Sequence, residues 1–151
     1  MPEKATIERA RRDAKEGKAP STQAGEFVKE EMDHIREGKH GARSPQQAIA
    51  IGLSKARRAG VPLAPPKAGR TSDQTRKQAE RDYTKGQSGE GRKKPSAKRS
   101  RAVLGALKRE GRAAASHKAL SQQAHRAAAQ RKKRGPVTAG KKGSSGRSGA
   151  A

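Results

Sequence analysis

The chain has no cysteine and no tryptophan, and Phe27 and Tyr83 are its only phenyl or phenol rings. Without cysteine there are no disulfides, no thiolate metal sites and no cysteine nucleophile. Two isolated rings do not make the stacking platform on which single-stranded bases are read. That argues against RNA-recognition, oligonucleotide-binding and cold-shock folds. No apolar run approaches the ~20 residues that span a bilayer. Met1-Pro2-Glu3-Lys4 opens onto charged sequence rather than the apolar stretch of a signal peptide, so a cytoplasmic protein is expected. Acidic residues vanish towards the C-terminus: Gly111 to Ala151 hold ten Lys/Arg and not one Asp or Glu.

What the sequence does have is positive charge and alanine. It carries 37 Lys+Arg against 14 Asp+Glu, a formal charge of +23. Residues 1–66 hold 13 basic and 9 acidic side chains, net +4, whereas residues 67–151 hold 24 and 5, net +19. Such asymmetry points to a region that meets a polyanion, because unopposed positive charge repels itself until counter-charge arrives. The apolar fraction is 29%, but most of it is alanine; of the 17 larger apolar residues, 11 lie in residues 1–66. A core is therefore expected in the N-terminal half. The C-terminal half, with little to bury, is expected to be largely disordered when free.

Proline and glycine punctuate the chain into helices. Thr6 is placed to cap a short helix from Ile7 to Glu16, ended by Gly17. A second runs from about Thr22 to Glu37, with Ala24, Phe27/Val28, Glu31/Met32 and Ile35 at helical spacing. Ser44-Pro45-Gln46-Gln47 is a capping box with proline at the first helical position. It opens a third helix with an Ala48, Ile49, Gly52/Leu53, Ala56 stripe, stopped at Gly60. Residues 21–61 thus read as a hairpin with a small Phe27/Val28/Met32/Ile35/Ile49/Leu53 core. Val61 to Lys67 reads as a stiff linker. A weak helix follows from Thr71-Ser72 to about Lys85, with Gly86 ending it. Ala97 to Glu110 and Ser116 to about Arg134 are helical in pattern. The expected fold class is all-α, a small helical hairpin plus isolated basic helices. Its expected divisions are a helical region at 1–66, a polar linker at 67–95, a basic helical region at 96–135 and a disordered tail at 136–151.

On a helical wheel Lys98, Arg101, Lys108 and Arg109 share an arc of about 100°, opposite Val103, Leu104 and Leu107. A basic face backed by an apolar seam suits a helix lying along phosphates while docking on a partner. The alternative is a solvated face that keeps the protein soluble, although such a face usually mixes both signs. Arg131, Lys132, Lys133 and Arg134 point all round a helix, which neutralises phosphates without reading bases. Lys93-Lys94-Pro95 and Lys98-Arg99 resemble the tails of linker histones. The candidate nucleic-acid-binding residues are Lys93, Lys94, Lys98, Arg99, Arg101, Lys108, Arg109, Arg112, Lys118, Arg126, Arg131, Lys132, Lys133, Arg134, Lys141 and Lys142.

Other patterns carry less. Gly135 to Lys142 nearly spells a phosphate loop, but Lys142 stands where Ser or Thr would bind magnesium, and no strand precedes it. Gln47 to Gly60 brushes against a helix-turn-helix, yet one continuous capped helix explains the same residues better. His34, His40, His117 and His125 share no ligand spacing, though His34 and His40 flank a glycine-containing connection near Asp33 and Glu37. They read as surface histidines. Glu26, Glu30, Glu31, Asp33 and Glu37 form an acidic patch on the second helix, either a dock for the basic tail or an ordinary polar face.

The stretches Lys4-Ala-Thr-Ile-Glu-Arg-Ala-Arg-Arg-Asp13, Ala24-Gly-Glu-Phe-Val28, His34-Ile-Arg-Glu-Gly-Lys-His-Gly-Ala-Arg43 and Gln47-Ala-Ile-Ala-Ile-Gly-Leu-Ser-Lys-Ala-Arg-Arg-Ala-Gly60 resemble a family of short basic bacterial proteins with a domain of unknown function. Lys98-Arg-Ser-Arg-Ala102, Leu107-Lys-Arg-Glu110, Ala115-Ser-His117 and Leu120-Ser121 are similar to the C-terminal portion of the same family. The resemblance implies a bacterial cytosolic protein and brings no catalytic residues, cofactor or metal. The expectation is a non-enzymatic protein that binds nucleic acid, DNA before RNA, through phosphates, in an architectural or stress-related role. In that case it would sit at the nucleoid. The alternative is a hydration or interaction protein whose charge serves solubility.

Overall fold

The computed structural model describes residues 2–89 and 96–135, and among these the protein is all-α, with no strand. Six helices follow in order: α1 Lys4–Lys15, α2 Pro20–Arg36, α3 Pro45–Arg58, α4 Asp73–Gln87, α5 Ala97–Arg109 and α6 His117–Arg134, with a 3₁₀ turn at Ala113–Ala115 before α6. The tail expected at 136–151 and residues 90–95 of the expected linker lie outside the described residues.

Local chemistry sets most boundaries. Ser44 Oγ accepts from the Gln47 amide at 3.2 Å, and Gln47 Oε1 accepts from the Arg43 amide at 2.7 Å. Ser44 thus caps α3 with Pro45 at the first helical position, and Gln47 reaches back one residue beyond the cap to the Arg43 amide. Ser72, Ser96 and Ser116 cap α4, α5 and α6 in the same way through their hydroxyls. Two of the helix ends depend on left-handed glycine. Gly38 (φ 78°) and Gly60 (φ 97°) each sit in a Schellman turn. There the Lys39 amide reaches the His34 carbonyl, and the Val61 amide the Ala56 carbonyl.

The expected hairpin is present, since α2 and α3 form the most extensive helix pairing, and it is built on close backbone approach. At Gly52 an added Cβ would lie 2.7 Å from the Val28 Cα. α1 packs on α2 and α4 on α3. The 3₁₀ turn and α6 then close over α2 and α3. The core has two parts. Phe27, Ala10, Ala24, Ala56 and Val61 form one, flanked by Ile7, Leu53 and Leu63. Met32, Ile35, Ala42, Ala48, Ala114 and Ala115 form the other, flanked by Val28, Ile49 and Leu120.

Several expectations change. Thr6 is not an N-cap: it is fully buried inside α1, and the helix begins at Lys4 with no side-chain cap. Packing on α2 outweighs the local cap, and Glu30 Oε2 accepts from the Glu3 amide at 3.1 Å. α2 likewise starts earlier than expected, at Pro20, with proline in its first turn. Gly86 does not end α4, which runs to Gln87. Instead a Cβ there would collide with the Arg57 carbonyl, so Gly86 is the point where α4 crosses the end of α3. α3 is continuous from Pro45 to Arg58, which excludes a helix-turn-helix at Gln47 to Gly60. The C-terminal half, expected to be largely disordered, contains three defined helices, and Ala114 and Ala115 are 6% and 0% exposed in the core. Small residues supply the burial that large ones were thought necessary for.

The crossing at Gly52 yields a stability test. Gly52→Ala forces the α2–α3 backbones apart and is expected to cost ~1–3 kcal/mol, the range for overpacking. Gly25→Ala, on α2 with nothing within 4 Å of its added Cβ, is expected to stabilise by up to ~1 kcal/mol from helix propensity alone. Urea unfolding of the two variants checks both signs.

Candidate nucleic-acid interface

Every candidate cation among the described residues is exposed: Lys98, Arg99, Arg101, Lys108 and Arg109 on α5, Arg112 before the 3₁₀ turn, and Lys118, Arg126 and Arg131 to Arg134 on α6. Lys93, Lys94, Lys141 and Lys142 lie outside the described residues. Ser96 caps α5 and sets its start, so the wheel reading holds and Lys98, Arg101, Lys108 and Arg109 share one face. Arg131 to Arg134 fill the last turn of α6, where the helix dipole favours cations and would favour an approaching anion less. Their strength is density of charge rather than placement at a helix N-terminus.

Ion pairing divides the molecule. Every ion pair among the described residues lies between Glu3 and Asp82. None of the described candidate cations pairs with a described acid. The side-chain bonds they do make are to their own helix, Arg101 Nε to the Ala97 carbonyl and Arg131 Nε to the Ala127 carbonyl, both at 3.3 Å.

α5 packs on no other helix and buries none of its residues. Its seam is left open, with Val103 54% and Leu104 43% exposed. Two backbone bonds hold its C-terminal end to the body. The Gly41 amide donates to the Leu107 carbonyl at 2.8 Å, and the Ala42 amide to the Gly111 carbonyl at 3.1 Å. Gly41 has to be glycine here, because a Cβ would meet the Glu110 carbonyl. Arg36 Nε donates to the Ala115 carbonyl at 3.1 Å and holds the next turn.

The acidic patch expected on α2 is not a free surface. Glu30 and Glu31 are 4% and 1% exposed, and the Lys55 ammonium pairs with both, with Glu30 Oε1 at 3.6 Å. Glu26 pairs with Arg9, Asp33 with Arg36 and Glu37 with Lys39. His34 and His40 are not ordinary surface histidines either. His34 Nε2 lies 3.0 Å from Glu3 Oε1, and His40, 9% exposed, has Nε2 3.4 Å from Glu31 Oε2. Hydrogen bonding from His34 and then Lys39 holds the Glu3 carboxyl below the usual carboxylate range. The contact is therefore lost only as acid protonates Glu3 below that range. Elsewhere Arg57 is turned inward, its Nε donating to the Leu63 carbonyl at 3.1 Å. Burial lowers its pKa, an effect Asp82 opposes. Asp82 itself, 3% exposed, accepts from Ser54 Oγ at 2.5 Å and seats α4. The signal for Glu31 was available in the sequence, because it falls on the same helical stripe as Phe27, Val28 and Ile35.

No helix among the described residues is long and apolar enough to cross a membrane. No protein-family model matches this chain, and neither the curated proteins nor the solved structures contain a match.

Cations in the two halves should therefore respond differently to removal. Lys55→Ala leaves two buried carboxylates unopposed and is expected to cost ~3–5 kcal/mol. Arg109→Ala, exposed and unpaired, is expected to change stability by less than ~0.5 kcal/mol. Chemical denaturation of the full chain measures both.

Proposed function

We propose that this protein binds nucleic acid, duplex DNA first, through phosphates and without sequence preference, in an architectural or stress-related role at the nucleoid. The observation that carries the reading is the division of charge. In the N-terminal body acids pair with Arg9, Lys18, Arg36, Lys39, Lys55 and Arg58, although Lys4, Arg11, Arg12 and Lys15 stay exposed outside these pairs, whereas no candidate cation of α5 or α6 pairs with a described acid. A polyanion of regularly spaced charges satisfies such surfaces by releasing its own condensed counterions. Two isolated aromatic rings leave base stacking out of the mechanism, which favours a duplex backbone over single-stranded RNA. Arg131 to Arg134 point in all directions around α6, so they position the protein and carry no sequence information.

The reading includes a gain of order on binding. α5 is a 13-residue helix without packing partners, and isolated helices of that length are marginal in water. Phosphates along its Lys98, Arg101, Lys108, Arg109 face would screen the repulsion that opposes it, so helicity in residues 97–134 should rise when DNA is added. The body around α2 and α3 acts as the platform on which this region is mounted. No catalytic step belongs to this reading.

Gel shifts and anisotropy titrations on random-sequence duplexes test it. If ~6–10 cations reach phosphates, affinity should fall ~10³–10⁵-fold between about 50 and 200 mM salt. Replacing Arg131 to Arg134 by Gln should weaken all sequences equally and flatten the salt slope. Truncation is the poorer test, because Ala114 and Ala115 belong to the core. A nearly flat salt response would mean that the charge serves solubility. A sharp preference for one sequence would mean that bases are read.

A further inference from the structure

We propose that Glu31, His34 and His40 form a binding site for one divalent transition-metal ion of the zinc class, and that the ion fastens the end of α2 to the turn that follows it. Glu31 and His34 stand one turn apart on α2. The Schellman turn at Gly38 folds the chain back so that His40 returns over the same helix face. One ligand atom from each of the three residues lies within 4.8 Å of the others.

A bound cation would satisfy an acceptor that has no donor at this point. His40 Nδ1 lies 3.0 Å from the Gly41 carbonyl oxygen, which can only accept, so Nδ1 carries the proton. In the neutral ring that leaves Nε2 bare, and it faces Glu31 Oε2 at 3.4 Å. Lone pair meets lone pair. Glu31 Oε1 is taken by the Lys55 ammonium, but Glu31 Oε2 is buried with no hydrogen-bond partner among the described residues, on a side chain only 1% exposed. Two ligands bound at ~2.0–2.1 Å to a tetrahedral zinc ion stand ~3.3–3.4 Å apart, which is the separation of His40 Nε2 from Glu31 Oε2, with the His34 ligand atom within 4.8 Å of both.

Charge and support point the same way. The connected groups around the site are the carboxylates of Glu3, Glu30, Glu31 and Glu37 and the ammonium groups of Lys39 and Lys55. Among these ion-paired groups carboxylates outnumber ammonium groups four to two, with Lys108, Arg112 and Glu110 lining the pocket beside Glu37 and His40. His34 also contacts the Glu3 carboxylate and His40 the Gly41 carbonyl, the kind of outer partner that orients metal-bound histidine. Two imidazoles and one carboxylate, with no thiolate, suit zinc and its neighbours rather than calcium or magnesium. The His34 side chain is 14% exposed, the most accessible of the three. A metal held here braces the turn whose Gly41 and Ala42 amides hold Leu107 and Gly111, and so ties the body to the basic region.

The test uses the full-length chain, stripped with a chelator and titrated with Zn²⁺ by calorimetry and with Co²⁺ by visible absorption. The expected result is one saturable site with the intense bands of four-coordinate cobalt and a metal-dependent rise in melting temperature. His34→Ala, His40→Ala and Glu31→Gln should each weaken binding beyond the ~10–100-fold that loss of a supporting partner costs. The double variant His117→Ala/His125→Ala should bind as the parent does. Circular dichroism accompanies each variant, and His34→Ala, at the partly exposed ligand, decides the case if a buried change unfolds the chain. Absence of a saturable site, or binding that survives His34→Ala in a folded protein, would overturn the proposal.

Discussion

A chain with 37 basic side chains has 14 carboxylates with which to fold, and their placement decides which part packs and which part remains a polycation. All but Glu90 and Glu110 lie at or before Asp82. There they do structural work: Glu30 and Glu31 around Lys55 between α2 and α3, Asp82 under Ser54 and Arg58 between α3 and α4, Glu26 with Arg9 between α1 and α2. Buried pairs of this kind cost desolvation and are weak sources of net stability, but removing one partner is severe. They therefore fix register more than they add strength. The helices beyond receive almost no acid and meet solvent with their charge unopposed.

The second constraint is the shortage of large apolar side chains, and the protein answers it with proximity. Helices come together at Gly52 and Gly86, where backbone meets backbone, and the interstices are filled by Ala24, Ala48, Ala56, Ala114 and Ala115. Close approach multiplies van der Waals contacts per residue, so a core can form from methyl groups. It also makes that core intolerant of added volume. The same economy brings the C-terminal half into the fold: an alanine turn, an arginine on a carbonyl and two backbone bonds mount the basic helices on the body.

Features that depend on local chemistry were legible in the sequence. The Ser44 and Ser116 caps, the stop at Gly60 and the Phe27, Met32, Ile35 stripe all appear where spacing places them. What sequence could not supply was tertiary competition. Thr6 has every property of a cap and is buried instead, because α2 lies over it. Gly86 looks like a stop and is a crossing point. Ala114 and Ala115 look like filler and enter the core. His40 looks like a surface polar residue and faces the buried Glu31. Among the candidate site residues, exposure and freedom from described acids follow the charge pattern of the sequence. Their mounting on the body does not.

Lysine-modification footprinting, with and without duplex DNA, tests the charge division most directly, because each lysine reports separately from within the intact chain. The account predicts that DNA shields Lys98, Lys108, Lys118, Lys132 and Lys133 from acylation while the reactivity of Lys18, Lys39 and Lys55 stays unchanged. Shielding centred on the lysines of α1 to α3, or none anywhere at low salt, would contradict it.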